Sequence, residues 1–364
     1  MPQAPPRRSM TESGNPSVSA PASLCIFRLS AIGDATHVVP VVRTIQRFWP
    51  ETGITWVIGR TEASLLGDLR GVTFRVLNKR EGIRVCRRQL RDAEGGVVHD
   101  VILQMQASLR ASLIASGLRG RRRIGFDRER AINGQWLFTR ERIAARPREH
   151  VLDGFFGFLE RAGLPDRELR WDIPLTDQAL AFTRRELPPG EPLLTISPCS
   201  SQRLRNYRDW PVARFVAVAD HASGRGFQVV LTGGGSARER QYAEAIAAGC
   251  RRPVIDLVGR TSLKELAAVI ARSQGLVGPD SGPVHLASAF DVPAIGLYAT
   301  SNPRRTGPYR NREYVIDRYP DAVRRFLNRD PENLRWGTRV RHPDAMDLIT
   351  VDEVCRQIDR LPQR

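Results

Sequence analysis

Residues 277–298 read Val-Gly-Pro-Asp-Ser-Gly-Pro-Val-His-Leu-Ala-Ser-Ala-Phe-Asp-Val-Pro-Ala-Ile-Gly-Leu-Tyr. The apolar run 275–278 is short enough to be a buried parallel strand. Ser281 then offers an N-cap hydroxyl and Gly282 has no side chain, so the pattern predicts a helix that begins at this turn. Free backbone N–H groups and the helix dipole both favour an anion there. The stretch therefore predicts a strand, a phosphate-sized turn, a helix and a second strand.

Strand-like and helix-like runs alternate along the rest of the chain. Apolar residues recur at helical spacing from Val38 to Trp49, between two short apolar runs. Such alternation indicates right-handed βαβ units and mostly parallel sheets. The predicted strands are 24–29, 54–58, 72–76, 101–105, 193–197, 227–231, 254–257, 275–277 and 293–298.

The series of strands restarts after the proline-rich stretch 188–192, which is typical of an interdomain linker. At 364 residues and 41% hydrophobic composition, the chain can supply a core for two domains. The predicted division is a flexible tail (1–22), a first domain (23–184), a linker (185–192), a second domain (193–345) and a terminal helix (346–364).

The charge balance is strongly basic, with a formal net charge of +17 and 56 lysines and arginines, of which only Lys79 and Lys264 are lysine. A genome rich in arginine codons can account for part of this bias. The remaining positive field attracts polyanions, so nucleic acid, anionic lipid and phosphorylated glycolipid are all open as partners. Residues 119–148 hold ten arginines against three acidic residues. They form either a solvated basic face or a patch that faces an acceptor or a membrane.

Cysteine usage and the N-terminal segment bear on location. The five cysteines are scattered and never form a C-x-x-C pair, which favours a reducing compartment and argues against disulfides or a zinc site. Residues 1–22 lack the apolar core of a signal peptide, and no window approaches about 18 consecutive apolar residues. We expect a cytoplasmic protein that at most docks on a bilayer.

Three segments resemble glycosyltransferase family 9, the ADP-heptose:lipopolysaccharide heptosyltransferases. They are Phe27-Arg-Leu-Ser-Ala-Ile-Gly-Asp-Ala-Thr-His-Val-Val-Pro40, Ile196-Ser-Pro-Cys-Ser-Ser-Gln-Arg-Leu-Arg-Asn-Tyr-Arg-Asp-Trp-Pro211 and residues 277–298. The resemblance covers residues 23–310. It implies the GT-B architecture, in which two Rossmann-like domains face each other across a cleft and the terminal helix packs back on the first domain. It also implies heptose transfer from ADP-L-glycero-D-manno-heptose to the lipopolysaccharide inner core, with inversion, at the inner-membrane surface.

Sugar transfer needs a base that deprotonates the acceptor hydroxyl. Asp34 follows the first predicted strand, at the edge of the sheet where ligands bind in open α/β folds. A structural alternative is an N-cap for a helix that begins near His37. With the resemblance, Asp34 is predicted to be the catalytic base, and a single base opposite a leaving group implies inversion. The histidines at 37, 99, 150, 221 and 342 are expected to be surface or cap residues.

The departing diphosphate must also be stabilised. The chain contains no Asp-x-Asp and no clustered metal ligands, so we expect fixed cations and backbone amides to do this without a metal cofactor. The resemblance assigns donor binding to Ser281, Gly282, His285 and Arg208, where arginine replaces the usual lysine of Lys-x-Trp-Pro. Asp280 either binds sugar hydroxyls or is a satisfied loop carboxylate.

Further nucleotide and acceptor positions are predicted from the resemblance and from the ends of strands. Ser200 and Ser201 match the donor loop, and Thr261 lies at the βα turn expected near adenine. Glu239 either binds the ribose or closes a capping box with Ser236. The residues predicted to line the acceptor pocket are Ser30, Gln104 and Gln106.

Other functions stay open at this point. One is another GT-B nucleotide-sugar transferase that acts on a cell-surface glycan. A Rossmann dehydrogenase is disfavoured because the first βα turn lacks G-x-G-x-x-G. A basic nucleic-acid-binding protein is disfavoured because no recognisable module is present. The predicted partners are an ADP-sugar donor, a phosphorylated or acidic glycolipid acceptor and the membrane surface, and not nucleic acid. The acceptor sugar, whether Kdo, a first heptose or a later residue, is left open.

Overall fold

The computed structural model describes residues 19–200 and 206–362, so most of the predicted tail lies outside the described residues. Its strands form two six-stranded sheets whose neighbouring strands are all parallel. The predicted α/β class with two doubly wound sheets is confirmed.

The first sheet consists of β1 (Ser23–Phe27), β2 (Gly53–Gly59), β3 (Val72–Leu77), β4 (Val98–Gln104), β5 (Arg119–Gly125) and β6 (Glu141–Arg142). Its helices are α1 (Ile32–Phe48), α2 (Arg60–Leu66), α3 (Ile83–Glu94), α4 (Leu109–Ala115) and α5 (Val151–Ala162).

Helix α6 (Asp177–Glu186) precedes the second sheet, which repeats the same plan. Its strands are β7 (Leu193–Ile196), β8 (Gln228–Leu231), β9 (Ile255–Asp256), β10 (Gly275–Pro279), β11 (Ala294–Tyr298) and β12 (Ile316–Asp317). The remaining helices are α7 (Val212–Gly224), α8 (Ala237–Gly249), α9 (Leu263–Arg272), α10 (Gly282–Ala289), α11 (Pro303–Thr306), α12 (Tyr319–Ala322) and α13 (Val351–Ile358).

Each sheet has a switch point where the strand order reverses. The orders are β3-β2-β1-β4-β5-β6 and β12-β11-β10-β7-β8-β9, so the switch points lie between β1 and β4 and between β7 and β10. Open α/β sheets bind ligands in the crevice at the carboxyl ends of these strands. The residues that follow those four strands include Asp34, Gln106, Ser200 and Asp280. The topology therefore places the predicted site residues of both domains at the two crevices.

Apolar packing joins the two domains beside these crevices. Helix α1 packs against α10, and Val38 and Val42 share one buried cluster with Leu286 and Ala287. Burying such side chains stabilises the contact by roughly 1.5–3 kcal/mol each. The N-termini of α1 and α10 are thus held close together.

Two segments pack differently from their predicted domains. Helix α6 packs against α9, and Phe182 shares a buried cluster with Leu193 and Val269 of the second domain. The boundary at 185–192 stays a prediction, and this packing favours an earlier one. Contrary to the expected return to the first domain, α13 packs on α7 and β11, because Val354 and Ile358 insert into the second-domain core.

Three strands were not predicted from the hydrophobic pattern. Strand β5 reads Arg-Gly-Arg-Arg-Arg-Ile-Gly, which has no apolar run. Arg122 fits the sheet because its guanidinium donates to both carboxylate oxygens of Glu141 at 2.8 Å, and Arg123 donates to the carbonyls of Ala115 and Leu118. The other two, β6 and β12, have two residues each and carry too little pattern to detect. Within the described residues, no helix combines the length and apolar character needed to cross a membrane.

Candidate active site

Arg28 and Asp34 form an ion pair at the carboxyl end of β1. Arg28 is mostly buried, donates to the main-chain oxygen of Met105 and lies over the ring of Phe155, 5.3 Å from its centroid. The Asp34 side chain is 34% exposed, so a ligand can reach the carboxylate. Arg28 pairs with Oδ2, and Oδ1 accepts no hydrogen bond from the described residues. The pair thus orients a carboxylate that keeps one oxygen available.

Helix α1 begins at Ile32 with Ala31 as its N-cap residue, and no side chain caps it. The alternative in which Asp34 caps a helix beginning near His37 is therefore wrong. Asp34 lies inside the first turn, where the helix dipole favours its negative charge. Its carboxylate is held by the dipole and by Arg28, and not by a capping bond.

The predicted phosphate turn lies where α10 begins. Ser301 donates to Oδ2 of Asp280 at 2.8 Å, and Nε2 of His285 is 3.8 Å from the other carboxylate oxygen. Ser281 occupies the N-cap position, as predicted, but its hydroxyl makes no capping bond. Ser281 Oγ and His285 Nδ1 are buried and have no hydrogen-bond partner among the described residues. Because buried polar groups are normally paired, these two atoms are candidate ligand contacts.

Arg208 reaches the same turn from the loop after β7. Its Nη1 donates to the main-chain oxygen of Asp280 at 2.7 Å and is 3.7 Å from the carboxylate. Asp280 is thus a partnered loop carboxylate in this structure, and its contact with sugar hydroxyls stays a prediction. The structure brings together Arg208, Asp280, Ser281 and His285 as the sequence predicts.

The two signature turns contact each other directly across the domains. A Cβ on Gly33 would lie 2.3 Å from Cδ2 of His285, and a Cβ on Gly282 would lie 3.7 Å from Cγ2 of Ile32. Burial lowers the pKa of His285, although the carboxylates of Asp280 and Asp34 oppose this. His285 is therefore neutral near pH 7. The contact brings the turn that carries Asp34 close to the phosphate turn.

His37 packs behind this contact and was not expected there. Its ring is edge-on to those of His285 and His150, with centroids 5.1 and 5.2 Å away. Burial, followed by the neighbouring His285 and His150, lowers its pKa well below the usual range. The expectation that His37 is a surface or cap residue is wrong, because one face of α1 is covered by α10. His150 is a cap, since its side chain accepts from the N–H of Leu152.

Arg305 on α11 is a further candidate for the site that the sequence did not reveal. Burial lowers its pKa, whereas Asp34 and Asp280 oppose that change, so the guanidinium lies in the field of both carboxylates. It forms no ion pair with a described residue. The residue follows β11 within a segment where arginines are frequent, and no motif distinguishes it. Its position soon after β11, which lies next to the switch-point strand β10, was the signal that the sequence offered.

The nucleotide loops follow β7, β8 and β9. Ser200 is buried, and its N–H and hydroxyl both donate to Oδ1 of Asp209 at 3.0 Å. Ser201 lies outside the described residues. Thr261 directly precedes the N-cap of α9, in a turn beside the loop at 233–235. Ser200 and Thr261 therefore lie in loops that follow strands of the second sheet, and their contact with the nucleotide stays a prediction.

Glu239 closes the capping box of α8. Its Oε2 accepts from the N–H and hydroxyl of Ser236 at 2.9 and 2.6 Å, and its Oε1 accepts from the N–H of Gly234 at 2.7 Å. Burial acts to raise its pKa, but these hydrogen bonds outweigh burial and lower it. The capping role is present in the structure, and a ribose contact stays a prediction.

The structure places two of the three predicted acceptor residues beside the Asp34 turn and the third elsewhere. Gln106 accepts from the N–H of Leu29 at 2.8 Å and donates to Ser30 Oγ at 3.4 Å, so both residues lie beside the Asp34 turn. Gln104 is fully buried and donates to Ser112 of α4. It does not line the cleft, because its side chain lies on the face of the first sheet that α4 covers. Among the described residues, no group of three His, Cys, Asp or Glu side chains could hold a metal ion.

Two facing Rossmann-like domains with candidate site residues at their switch points define the GT-B architecture. A family model described as glycosyltransferase family 9 (heptosyltransferase) matches residues 86–326. The lipopolysaccharide core heptosyltransferase OpsX of Haemophilus influenzae is 35% identical, over 94% of this chain and 97% of its own length. The chain belongs to glycosyltransferase family 9, the heptosyltransferases.

Two solved structures share the fold. The family 9 glycosyl transferase of Veillonella parvula has a TM-score of 0.75 at 19% identity, over 93% of this chain and 96% of its own. The E. coli ADP-heptose lps heptosyltransferase II has a TM-score of 0.68 at 19% identity, over 93% of this chain and 97% of its own. The GT-B fold that the resemblance implied is confirmed.

Proposed function

We propose that this protein transfers heptose from ADP-heptose to the lipopolysaccharide core, with inversion at the anomeric carbon. The names of the Haemophilus and E. coli proteins, which specify the lipopolysaccharide core and ADP-heptose, support this assignment. The observation that carries it is the close packing of Gly33 against His285, which brings the turn that contains Asp34 against the helix that begins at the phosphate turn.

In the proposed reaction, Asp34 accepts the proton of the acceptor hydroxyl. The acceptor oxygen forms a bond to the anomeric carbon of the heptose from the side opposite the leaving group. The bond between that carbon and the phosphate oxygen breaks, and its electron pair leaves with ADP. This in-line displacement with one base inverts the configuration.

The charge that grows on ADP is met by fixed groups of the protein. The N-terminus of α10 presents backbone N–H groups, the Ser281 hydroxyl has no hydrogen-bond partner within residues 19–200 and 206–362, and Arg208 supplies a cation. Arg305 supplies a second cation beside Asp34 and Asp280. Ser200, Ser201, Glu239 and Thr261 are proposed to hold the nucleotide. The acceptor is proposed to be a phosphorylated or acidic glycolipid at the cytoplasmic face of the inner membrane.

Isothermal titration tests the donor assignment with ADP-heptose, ADP-glucose, UDP-glucose and GDP-mannose side by side. ADP-heptose is expected to bind most tightly. Tighter binding of UDP-glucose or GDP-mannose would overturn the assignment of an adenine nucleotide.

Treatment with EDTA is expected to leave most transferase activity intact, because backbone amides and arginines stabilise the leaving diphosphate. The measurement is ADP release before and after EDTA, followed by addition of Mg²⁺ or Mn²⁺. Loss of activity with EDTA and recovery with either metal would show that the leaving-group chemistry is wrong.

Glu239→Gln separates ribose binding from helix capping. Glutamine still closes a capping box but offers the ribose only a neutral acceptor. If Glu239 holds the ribose, ADP affinity falls by roughly 1–2 kcal/mol with little change in Tm. Glu353→Gln, in the capping box of α13, is the matched control and leaves ADP affinity unchanged. Unchanged ADP affinity in Glu239→Gln would leave this residue a helix cap alone.

A further inference from the structure

The turn between β5 and β6 presents large apolar side chains to solvent. In this segment, which we call the 132–138 loop, Ile132 is 50% exposed, Trp136 48% and Leu137 77%. Adjacent exposed apolar side chains on a soluble domain are unfavourable in water and mark interaction surfaces.

Unpaired arginines flank the same loop. Arg128, Arg140 and Arg142 are exposed and form no ion pair or side-chain hydrogen bond with a described residue. By contrast, Arg122 and Arg130 are engaged by Glu141 and by Asp127 and Glu149. The arginines of residues 119–148 therefore include paired ones that support the fold and exposed ones that flank the 132–138 loop.

The loop is anchored to the edge of the sheet that carries the active site. Gln135 is buried, accepts from the N–H of Phe126 at 3.1 Å and donates to the carbonyls of Gln104 and Gln106 at 2.9 and 3.2 Å. Gln106 in turn accepts from the N–H of Leu29, in the turn that leads to Asp34. The apolar tip thus projects from the rim of the cleft.

We propose that the 132–138 loop and its flanking arginines dock this protein on a bilayer of anionic phospholipid. Trp136 and Leu137 enter the headgroup boundary, where an indole is favoured, and Arg128, Arg140 and Arg142 contact the phosphates. The exposed apolar side chains of the loop suit the headgroup boundary, and the arginines around them suit the negative charge of the lipid phosphates. The inference rests on the proposed function in one respect, because a lipid-anchored acceptor would then meet the cleft from the membrane side.

Trp136 supplies a direct spectroscopic probe. Among the described residues, Trp136 is the one exposed tryptophan. Trp336 is partly buried, and the others are buried, namely Trp49, Trp56, Trp171 and Trp210. Vesicles of phosphatidylethanolamine with phosphatidylglycerol are expected to shift its emission to the blue, and brominated phosphatidylglycerol is expected to quench it. Vesicles of phosphatidylcholine alone are expected to have little effect. Unchanged emission with the anionic vesicles would overturn the proposal.

Variants test the surface by co-sedimentation with the same vesicles. Trp136→Ser with Leu137→Ser is expected to lower partitioning about tenfold or more, because it removes the inserted apolar groups. Val97→Ser with Val98→Ser is the matched control, since these residues are similarly exposed at the opposite end of β4, and partitioning stays at the wild-type level. Equal loss in both pairs, or a changed oligomeric state in the loop variant with unchanged vesicle binding, would overturn the proposal.

A lipid-free acceptor oligosaccharide separates this inference from the proposed function. The loop variant is expected to transfer heptose to that acceptor at the wild-type rate, and to lose turnover only with acceptor embedded in vesicles. Equal loss of turnover on both acceptors would contradict a docking role. Vesicle binding by wild type without any heptose transfer would instead overturn the proposed function and leave the docking surface in place.

Discussion

Asp34→Asn is expected to lower kcat by about 10²-fold or more while ADP-heptose affinity stays near the wild-type value. Asparagine keeps the size of the side chain and an oxygen that accepts from Arg28, but it does not take up the acceptor proton. The measurement is kcat for ADP release, together with titration of ADP-heptose.

Asp92→Asn is the control, because this exposed aspartate on α3 is remote from the cleft. It is expected to retain wild-type turnover and donor affinity. Turnover of Asp34→Asn within about threefold of wild type would remove Asp34 from the role of base.

Gly33→Ala is expected to disturb the contact between the two signature turns. The added methyl group would lie 2.3 Å from Cδ2 of His285, and that ring is buried against His37 and has little room to move. Overpacking of this kind costs about 1–3 kcal/mol of stability. Because the base moves relative to the donor, kcat is expected to fall by roughly tenfold to 10²-fold. Urea unfolding and steady-state kinetics measure the two effects.

Gly224→Ala gives the matched glycine substitution, since a Cβ there meets nothing within 4 Å. It is expected to leave kcat unchanged and the free energy of unfolding unchanged or slightly higher. If Gly33→Ala behaves like Gly224→Ala in both measurements, the packing of Gly33 on His285 does not hold the site together.

The sequence predicts an element well when the local pattern of residues that forms it also determines where it lies in the fold. Residues 277–298 combine an apolar strand, a glycine turn and a short helix, and the structure shows those elements at a switch point. Asp34 and His285 were predicted with the help of the family resemblance, and each lies near the start of the helix that follows a switch-point strand. Strand β5 was missed because its arginines satisfy their charge through tertiary partners, which no local pattern encodes.

The sequence also does not encode the direction in which a side chain points. Gln104 and Gln106 flank the end of one strand, yet Gln104 turns toward α4 and Gln106 toward the Asp34 turn. His37 looked like a surface histidine because the covering helix, α10, is some 250 residues away in sequence. Arg305 is a candidate only because the fold brings α11, which follows β11, within the electrostatic influence of Asp34 and Asp280. All of these side-chain positions depend on which helices and strands pack together in the fold, and a local sequence pattern does not show that.

A transfer assay tests the central claim most directly. The purified protein is incubated with ADP-heptose and lipopolysaccharide from a heptose-deficient strain, and both ADP and the mass of the glycolipid are measured, with ADP-glucose, UDP-glucose and GDP-mannose in parallel. The account predicts release of ADP with the addition of one heptose to the glycolipid, and much slower transfer from the other donors. No addition of heptose, together with transfer of a hexose from one of the other nucleotide sugars, would contradict it.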